Sequence, residues 1–132
     1  MVYVTRKEQF NAAHKLYNPL WSKEKNESVF GKCANENWHG HNYDLYVTVR
    51  GIPDKETGYV IDLKELSKVI KAEITDKVDH KNLNLDVDFM QGILASSENL
   101  TIKFWEILGP KIKECCVIEL HSIKLYLSLI HI

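Results

Sequence analysis

Cysteine, net charge and long apolar runs are all scarce in this sequence, and each scarcity excludes a class of protein. Three cysteines, an odd number, together with a start that lacks an apolar signal-peptide core, argue against a disulfide framework and favour a cytoplasmic location. A net charge of −1 argues against a nucleic-acid binder with a basic surface. No apolar run approaches the roughly 20 residues of a membrane-spanning helix. We therefore expect a single globular domain without nucleic-acid or membrane partners.

The most informative stretch, residues 33–41, contains one thiol and two histidines. Side chains alternate along a strand, so His39 and His41 would present both imidazoles to the same side, a geometry that suits two ligands of one metal ion. His14, near the end of the first predicted strand, is the candidate third ligand, although a lone histidine is more often an ordinary polar residue. Cys33 could complete a structural four-ligand zinc site, or it could be a free base beside a catalytic three-histidine site.

Hydrophobic periodicity predicts an order of strand, strand, helix, helix, strand. The predicted strands lie within residues 2–17, 42–50 and 118–127. Asp62 is a good N-cap for the first helix, and serines at 96–97 suit the start of the second. Gly109 and Pro110 should kink or end that second helix. Residues 18–32 read as a long loop.

Asp79 and His80 follow the first predicted helix directly. They could be an ordinary charge pair at a helix end. They could also be a proton-transfer couple, because a carboxylate can orient an imidazole and stabilise its charged form. The residues alone leave both interpretations open.

Several motifs together resemble those of the 6-pyruvoyl-tetrahydropterin synthase family, in the family's order and spacing. They are the segments 30–33, 39–43, 57–60, 79–84 and 97–99. His14 lies in a segment that resembles the family's first-strand ligand motif. The resemblance extends from about residue 4 to Tyr126.

This resemblance implies an α+β tunnelling fold, with a four-stranded antiparallel sheet, two helices on one face, and a homohexamer built from two trimers. It implies a lyase that converts 7,8-dihydroneopterin triphosphate to 6-pyruvoyl-tetrahydropterin, with loss of triphosphate, in tetrahydrobiopterin biosynthesis. The absence of a glycine-rich dinucleotide fingerprint agrees with a reaction that needs no nicotinamide cofactor. The alternatives are a 6-carboxy-tetrahydropterin synthase of the queuosine pathway, which the long 18–32 loop disfavours, and a non-catalytic zinc- or pterin-binding protein.

The resemblance also implies a role for each of nine site residues. Zn²⁺ would be held by His14, His39 and His41. Cys33 would be the general base, while Asp79 and His80 would relay a proton from the neighbouring subunit. The pterin would be contacted by Ser96, Ser97 and Glu98.

The chain departs from the family pattern after Tyr126. Where the family has a glutamate that anchors the pterin ring, this chain has Leu127, and the family's final strand is largely missing. Residues 127–132 could form a strand, but, read as the codons CTG TCT CTT ATA CAC ATC, they are also the translation of a transposon-end adapter used in sequencing libraries. We therefore hypothesise one domain over residues 1–126 followed by a non-native tail. An independent transcript that continues through the same codons would contradict this hypothesis.

Overall fold

A four-stranded mixed sheet built on two long paired strands forms the centre of the structure. A computed structural model describes residues 1–35, 38–115 and 118–128, and no helix within those ranges has the length and hydrophobicity needed to cross a membrane. Strands β1 (Val2–His14) and β2 (His39–Gly51) pair antiparallel along their whole length, with Val2 opposite Gly51 and His14 opposite His39. Alternation of buried and exposed residues along both strands gives the sheet one core face and one open face.

The two outer strands flank this pair, in the order β3-β1-β2-β4. β4 (Glu119–Leu127) pairs antiparallel with β2, whereas β3 (Lys81–Asn82) pairs parallel with β1. The expectation of a purely antiparallel sheet is therefore wrong at one edge. Because β3 has only two residues, it is too short to produce an alternating pattern in the sequence. The final strand expected after residue 127 would fall on residues 129–132, which lie outside the described residues.

Two helical segments cover the core face of the sheet, as the apolar stripes predicted. The first comprises α2 (Leu63–Ile70), a π-helical turn (Lys71–Thr75) and α3 (Asp76–Val78). The Asp62 side chain accepts a hydrogen bond from the Lys64 N–H at 2.9 Å and so caps α2.

The second segment, α4, runs over Ser97–Cys115 and continues through Pro110. The prediction that the helix could end at Gly109 and Pro110 is therefore wrong. Proline removes one backbone donor, but the buried Leu108 and Ile112 on either side hold the helix against the core.

Residues 18–32, predicted as a loop, contain a further helix, α1 (Lys23–Phe30), which leads into a 3-10 turn over Gly31–Ala34. Its anchor is polar: Asn26 is fully buried, accepts from the Asn18 N–H at 2.7 Å and donates to the Asn18 carbonyl at 3.0 Å. Because the buried residue of this helix is an asparagine, the sequence has no apolar stripe that would predict the helix.

The core is densest where aromatic rings from β1, β2 and α4 meet. Phe10 stacks on Tyr43 at 4.7 Å between ring centroids, and Phe104 meets Phe10 edge-on at 6.0 Å. All three side chains are buried. This cluster fixes the two central strands against α4 immediately beside the end of β1, where His14 lies.

Candidate metal centre

Three histidines converge on the core face at one end of the central strand pair. His14 is directly opposite His39 in the register, and His41 follows His39 on the same face. The ring centroids lie 4.5 Å apart for His14 and His39, 5.1 Å for His14 and His41, and 4.8 Å for His39 and His41. One ring nitrogen from each residue lies within 4.8 Å of the others, so the group could hold a metal ion.

Backbone carbonyls fix the orientation of two of these rings. Nδ1 of His14 lies 2.7 Å from the carbonyl oxygen of Ala95, and Nδ1 of His41 lies 3.4 Å from that of Ser128. A carbonyl can only accept, so Nδ1 is the donor in these contacts, and in the neutral imidazole Nε2 then keeps its lone pair. Metal-bound histidines commonly show this arrangement, in which the second nitrogen donates to an outer acceptor. The donor set therefore fits a metal ion that prefers neutral imidazole, as Zn²⁺ does.

A strained residue immediately precedes the second histidine. Trp38 has a φ of 63°, a left-handed conformation that is uncommon for a bulky residue. Its N–H donates to the Asn35 carbonyl at 3.2 Å, and Nζ of Lys15 lies 4.5 Å from its ring centroid. These contacts stabilise a turn that delivers His39 to the start of β2.

Tyr43, the next core-facing residue of β2 after His41, contributes a buried phenol to this region. Its ring centroid lies 5.9 Å from that of His41. Burial raises the pKa of the Tyr43 hydroxyl, so it stays protonated and neutral at physiological pH. The wall of the site beside His41 is therefore uncharged.

Asp79 and His80 form a pair that is fastened to β1 through main-chain hydrogen bonds. The Asp79 carboxylate accepts from the Asn11 N–H at 2.9 Å and lies 3.0 Å from Nδ1 of His80, while the His80 N–H donates to the Asn11 carbonyl at 2.6 Å. His80 has a φ of 59°, a second left-handed residue at the site. The side chains of Asp79 and His80 are 40% and 76% exposed, whereas His14 is 3% exposed. The pair therefore faces solvent and lies outside the histidine group.

His80 nevertheless borders a cavity that reaches the metal end of β2. This cavity of about 640 Å³ is also lined by Asn11, Trp38, His39 and His41. The open side of the sheet at this end therefore gives a ligand or a neighbouring molecule access to Asp79 and His80.

Cys33 lies in the 3-10 turn that follows α1, and its side chain is half-buried. Its carbonyl accepts a hydrogen bond from the Leu16 N–H at 2.7 Å, which ties the turn to the segment just beyond His14. Within the described ranges, the group of metal-ligating atoms comprises the three histidines and does not include this thiol.

Ser96, Ser97 and Glu98 lie at the start of α4, next to the Ala95 carbonyl that His14 contacts. The Ser96 hydroxyl oxygen accepts from the Asn99 N–H at 3.2 Å. Ser97 and the exposed Glu98 border a second cavity, of about 500 Å³, between α4 and β4. Ser96 thus directly follows the residue whose carbonyl contacts His14, whereas none of the three histidines lines the cavity beside Ser97 and Glu98.

Sequence reasoning did not identify Ala95, Trp38 or Lys15 as parts of the site. Ala95 acts through a backbone carbonyl, which every residue type carries. Trp38 is distinguished by its backbone conformation and Lys15 by its contact with the Trp38 ring. None of these three features leaves a signal in residue type or spacing.

Comparison with known proteins identifies the family. The family model described as 6-pyruvoyl tetrahydropterin synthase matches residues 3–127. This chain belongs to the 6-pyruvoyl tetrahydropterin synthase family. A 6-pyruvoyl tetrahydrobiopterin synthase of Dictyostelium discoideum is 41% identical over 113 residues, which are 86% of this chain and 82% of that protein. A protein of the same name from Homo sapiens is 40% identical over 123 residues, which are 93% and 83% of the two chains.

The fold agrees with this membership of the 6-pyruvoyl tetrahydropterin synthase family. The solved structure of Caenorhabditis elegans 6-pyruvoyl tetrahydropterin synthase superposes with a TM-score of 0.77 at 35% sequence identity, covering 96% of this chain and 95% of that chain. The expected tunnelling fold is confirmed, apart from the parallel pairing of β3.

Removing one histidine of the group should weaken metal binding selectively. We expect His39→Ala to lower zinc affinity at least about 100-fold, because one of three ligands is lost. Mutation of a residue that only hydrogen-bonds to a metal ligand typically lowers metal affinity by about 10- to 100-fold. Titration calorimetry measures the affinity, and the rise in Tm on adding zinc gives a second readout. His121→Ala, an exposed histidine outside the group, is the matched control and should bind zinc normally. Equal affinity in both variants would contradict the assignment.

Proposed function

We propose that this chain is a lyase that converts 7,8-dihydroneopterin triphosphate to 6-pyruvoyl-tetrahydropterin, with elimination of triphosphate, in tetrahydrobiopterin biosynthesis. The observation that carries the proposal is the convergence of His14, His39 and His41 in a member of this family. Relatives at about 40% identity over most of the chain bear the name 6-pyruvoyl tetrahydrobiopterin synthase. We also propose a cytoplasmic location, in keeping with the free thiol of Cys33.

The proposed resident metal is Zn²⁺, held by His14, His39 and His41. Three neutral nitrogen donors leave a fourth position open, as catalytic zinc sites do. When bound, the ion would supply Lewis-acid stabilisation of the substrate's side-chain oxygens. The Ala95 carbonyl keeps the His14 ring in the required tautomer, so the ligand is oriented before any metal arrives.

Cys33 is the proposed general base, which would accept and return protons at the side-chain carbons of the substrate. One observation supports this role over that of a fourth ligand: the thiol is not part of the group of metal-ligating atoms. The Cys33 carbonyl accepts a hydrogen bond from the N–H of Leu16, two residues beyond His14, which attaches the turn close to the first ligand.

Asp79 and His80 are the proposed proton relay. The Asp79 carboxylate lies against Nδ1 of His80, which leaves Nε2 of that ring to exchange a proton with substrate. Because both side chains are exposed and lie outside the histidine group, we propose that they serve the site of a neighbouring subunit.

A neighbouring subunit also provides a reason for the exposed surface beside β4. Strand β4 lies at one edge of the sheet, and α4 exposes Ile102 by 54% and Trp105 by 45% around a cavity that Ile123 and Leu125 of β4 also border. An uncovered strand edge beside apolar side chains favours association with another copy. We propose a homohexamer made of two trimers.

Ser96, Ser97 and Glu98 are the proposed pterin contacts, and Leu127 occupies the position of the family's pterin-anchoring glutamate. Leu127 pairs with Tyr43 and packs against the core, so its side chain lies on the same face as the histidines. We propose that the native domain spans residues 1–126 and that residues 127–132 are not native.

Product analysis tests the proposed reaction directly. Purified zinc-loaded protein should release triphosphate from 7,8-dihydroneopterin triphosphate and form 6-pyruvoyl-tetrahydropterin, identified by mass spectrometry. Formation of 6-carboxy-tetrahydropterin would favour the alternative enzyme instead. Cys33→Ala should retain zinc but lose turnover by roughly 100-fold or more, since a general base typically contributes about 100- to 10,000-fold. Loss of zinc in this variant would show that the thiol is a ligand and would contradict the proposed role.

Subunit mixing tests whether the relay acts between chains. His39→Ala removes a metal ligand and His80→Ala removes the relay, so each variant alone should be inactive. Chains unfolded, mixed in equal amounts and reassembled should recover up to about one quarter of wild-type activity, because about one pairing in four joins an intact histidine group to an intact relay. Activity of the mixture no higher than that of either variant reassembled alone would mean that the relay does not act between subunits.

Restoring a carboxylate at the end of β4 should improve substrate binding. We expect Leu127→Glu to lower KM for the pterin substrate by roughly 30-fold or more, since a charge-assisted hydrogen-bonded contact contributes about 2–3 kcal/mol. Tyr126→Glu is the matched control, because its side chain is 56% exposed and lies on the other face of the strand. Steady-state kinetics of both variants give the comparison, and an equal KM in the two would contradict the predicted position of the anchor.

A further inference from the structure

The side chain of Asn84, which lies outside the histidine group, connects the loop after β3 to the segment that follows His14. Asn84 follows β3 in the loop 82–91, and its side-chain amide makes two hydrogen bonds with the backbone of one residue, Lys15. Oδ1 of Asn84 accepts from the Lys15 N–H at 3.1 Å, and Nδ2 of Asn84 donates to the Lys15 carbonyl at 3.2 Å. The amide thus takes the place of a strand backbone and continues the pairing of β1 beyond its end.

The position of this contact in the chain gives it its importance. The pairing of β1 with β2 ends at His14 and that with β3 ends at Ala13, so Lys15 lies just beyond both ladders. The next residue, Leu16, donates its N–H to the Cys33 carbonyl at 2.7 Å. Asn84 therefore holds the residue that lies between the metal ligand His14 and the attachment point of the Cys33 turn.

His14 has restraints that do not involve Asn84. Its ring contacts the Ala95 carbonyl, and its backbone ends the ladder with β2. The Cys33 turn is joined to β1 through Leu16, immediately after the residue that Asn84 fixes. Loss of the Asn84 amide should therefore leave the metal ligand in place and loosen the thiol relative to it.

The loop itself is built to present this amide. The Asn84 N–H donates to Oδ1 of Asn82 at 2.9 Å, and the Asp86 N–H donates to the Asn82 carbonyl at 2.8 Å, so the backbone turns away from β1. Nε2 of Gln91 then contacts the carbonyls of Asn84, Leu85 and Val87 across the loop. The backbone has turned at this point, and the contact with Lys15 is made by the side chain of Asn84.

We propose that Asn84 is a positioning residue that sets the distance between the thiol of Cys33 and the metal centre. The proposal rests on the proposed function, in which Cys33 moves protons on a substrate held at the histidine group. A base displaced by about 1 Å can lose roughly 100-fold in rate, so a pair of hydrogen bonds at Lys15 is sufficient to control turnover.

Asn84→Ala removes both hydrogen bonds and tests the proposal on the full-length protein. We expect zinc content to stay at the wild-type level, kcat to fall roughly 10- to 100-fold and KM to change little. Alkylation of Cys33 by iodoacetamide, followed by mass spectrometry of its peptide, should change in rate at least about threefold as the turn becomes mobile. Gln91→Ala is the matched control, because the loss of its side chain loosens the same loop and Gln91 does not contact Lys15. In this variant zinc content, kcat, KM and the alkylation rate should all stay near wild type.

The outcomes separate the possibilities. A wild-type kcat and a wild-type alkylation rate in Asn84→Ala would overturn the proposal. Equal effects in Gln91→Ala would overturn it as well, because they would show that Asn84 only stabilises the loop. Loss of zinc in Asn84→Ala would also overturn it, since Asn84 would then act through a ligand. If Asn84→Ala fails to fold, Asn84→Asp retains the acceptor for the Lys15 N–H, loses the donor and takes its place in the same measurements. If the wild type shows no pterin turnover, the proposed function fails, while zinc content and alkylation still decide the role of Asn84.

Discussion

The register between β1 and β2 is the constraint on which the site depends. It sets His14 opposite His39 and Ala12 opposite His41, so three imidazoles meet on the core face of two strands. A shift of one residue would send the histidines of one strand to the opposite face. The continuous ladder between the two strands and the stacked rings of Phe10 and Tyr43 make such a shift costly. The pairing of β1 with β2 therefore determines both the stability of the sheet and the geometry of the candidate metal centre.

β1 organises the second group of site residues as well. Its Asn11 backbone holds Asp79 and His80, while its core face carries His14 only three residues later. One strand thus separates a buried group of histidines from an exposed acid–imidazole pair. This separation is the physical basis for proposing that each pair acts on a neighbouring subunit.

Particular residues explain what sequence analysis could and could not reach. The single glycine between His39 and His41 predicts two imidazoles on one face, and the two ring centroids lie 4.8 Å apart. Asp62 predicted the start of α2 because capping is a local interaction. Helix α1 was missed because its anchor is the buried Asn26 rather than an apolar stripe. β3 was not predicted, because two residues carry no period, and its parallel pairing departs from the antiparallel sheet that the resemblance implied.

Residue order and local preferences were sufficient to predict the alternation of β2, the capped helices and the motif spacing, and hence the family. The folded chain was needed to show that Ala95 orients His14, that Asn11 holds Asp79, and that Asn84 reaches Lys15. Each of these contacts uses a backbone carbonyl or N–H from a distant part of the chain. Backbone groups are the same in every residue, so only the folded chain determines which of them meet.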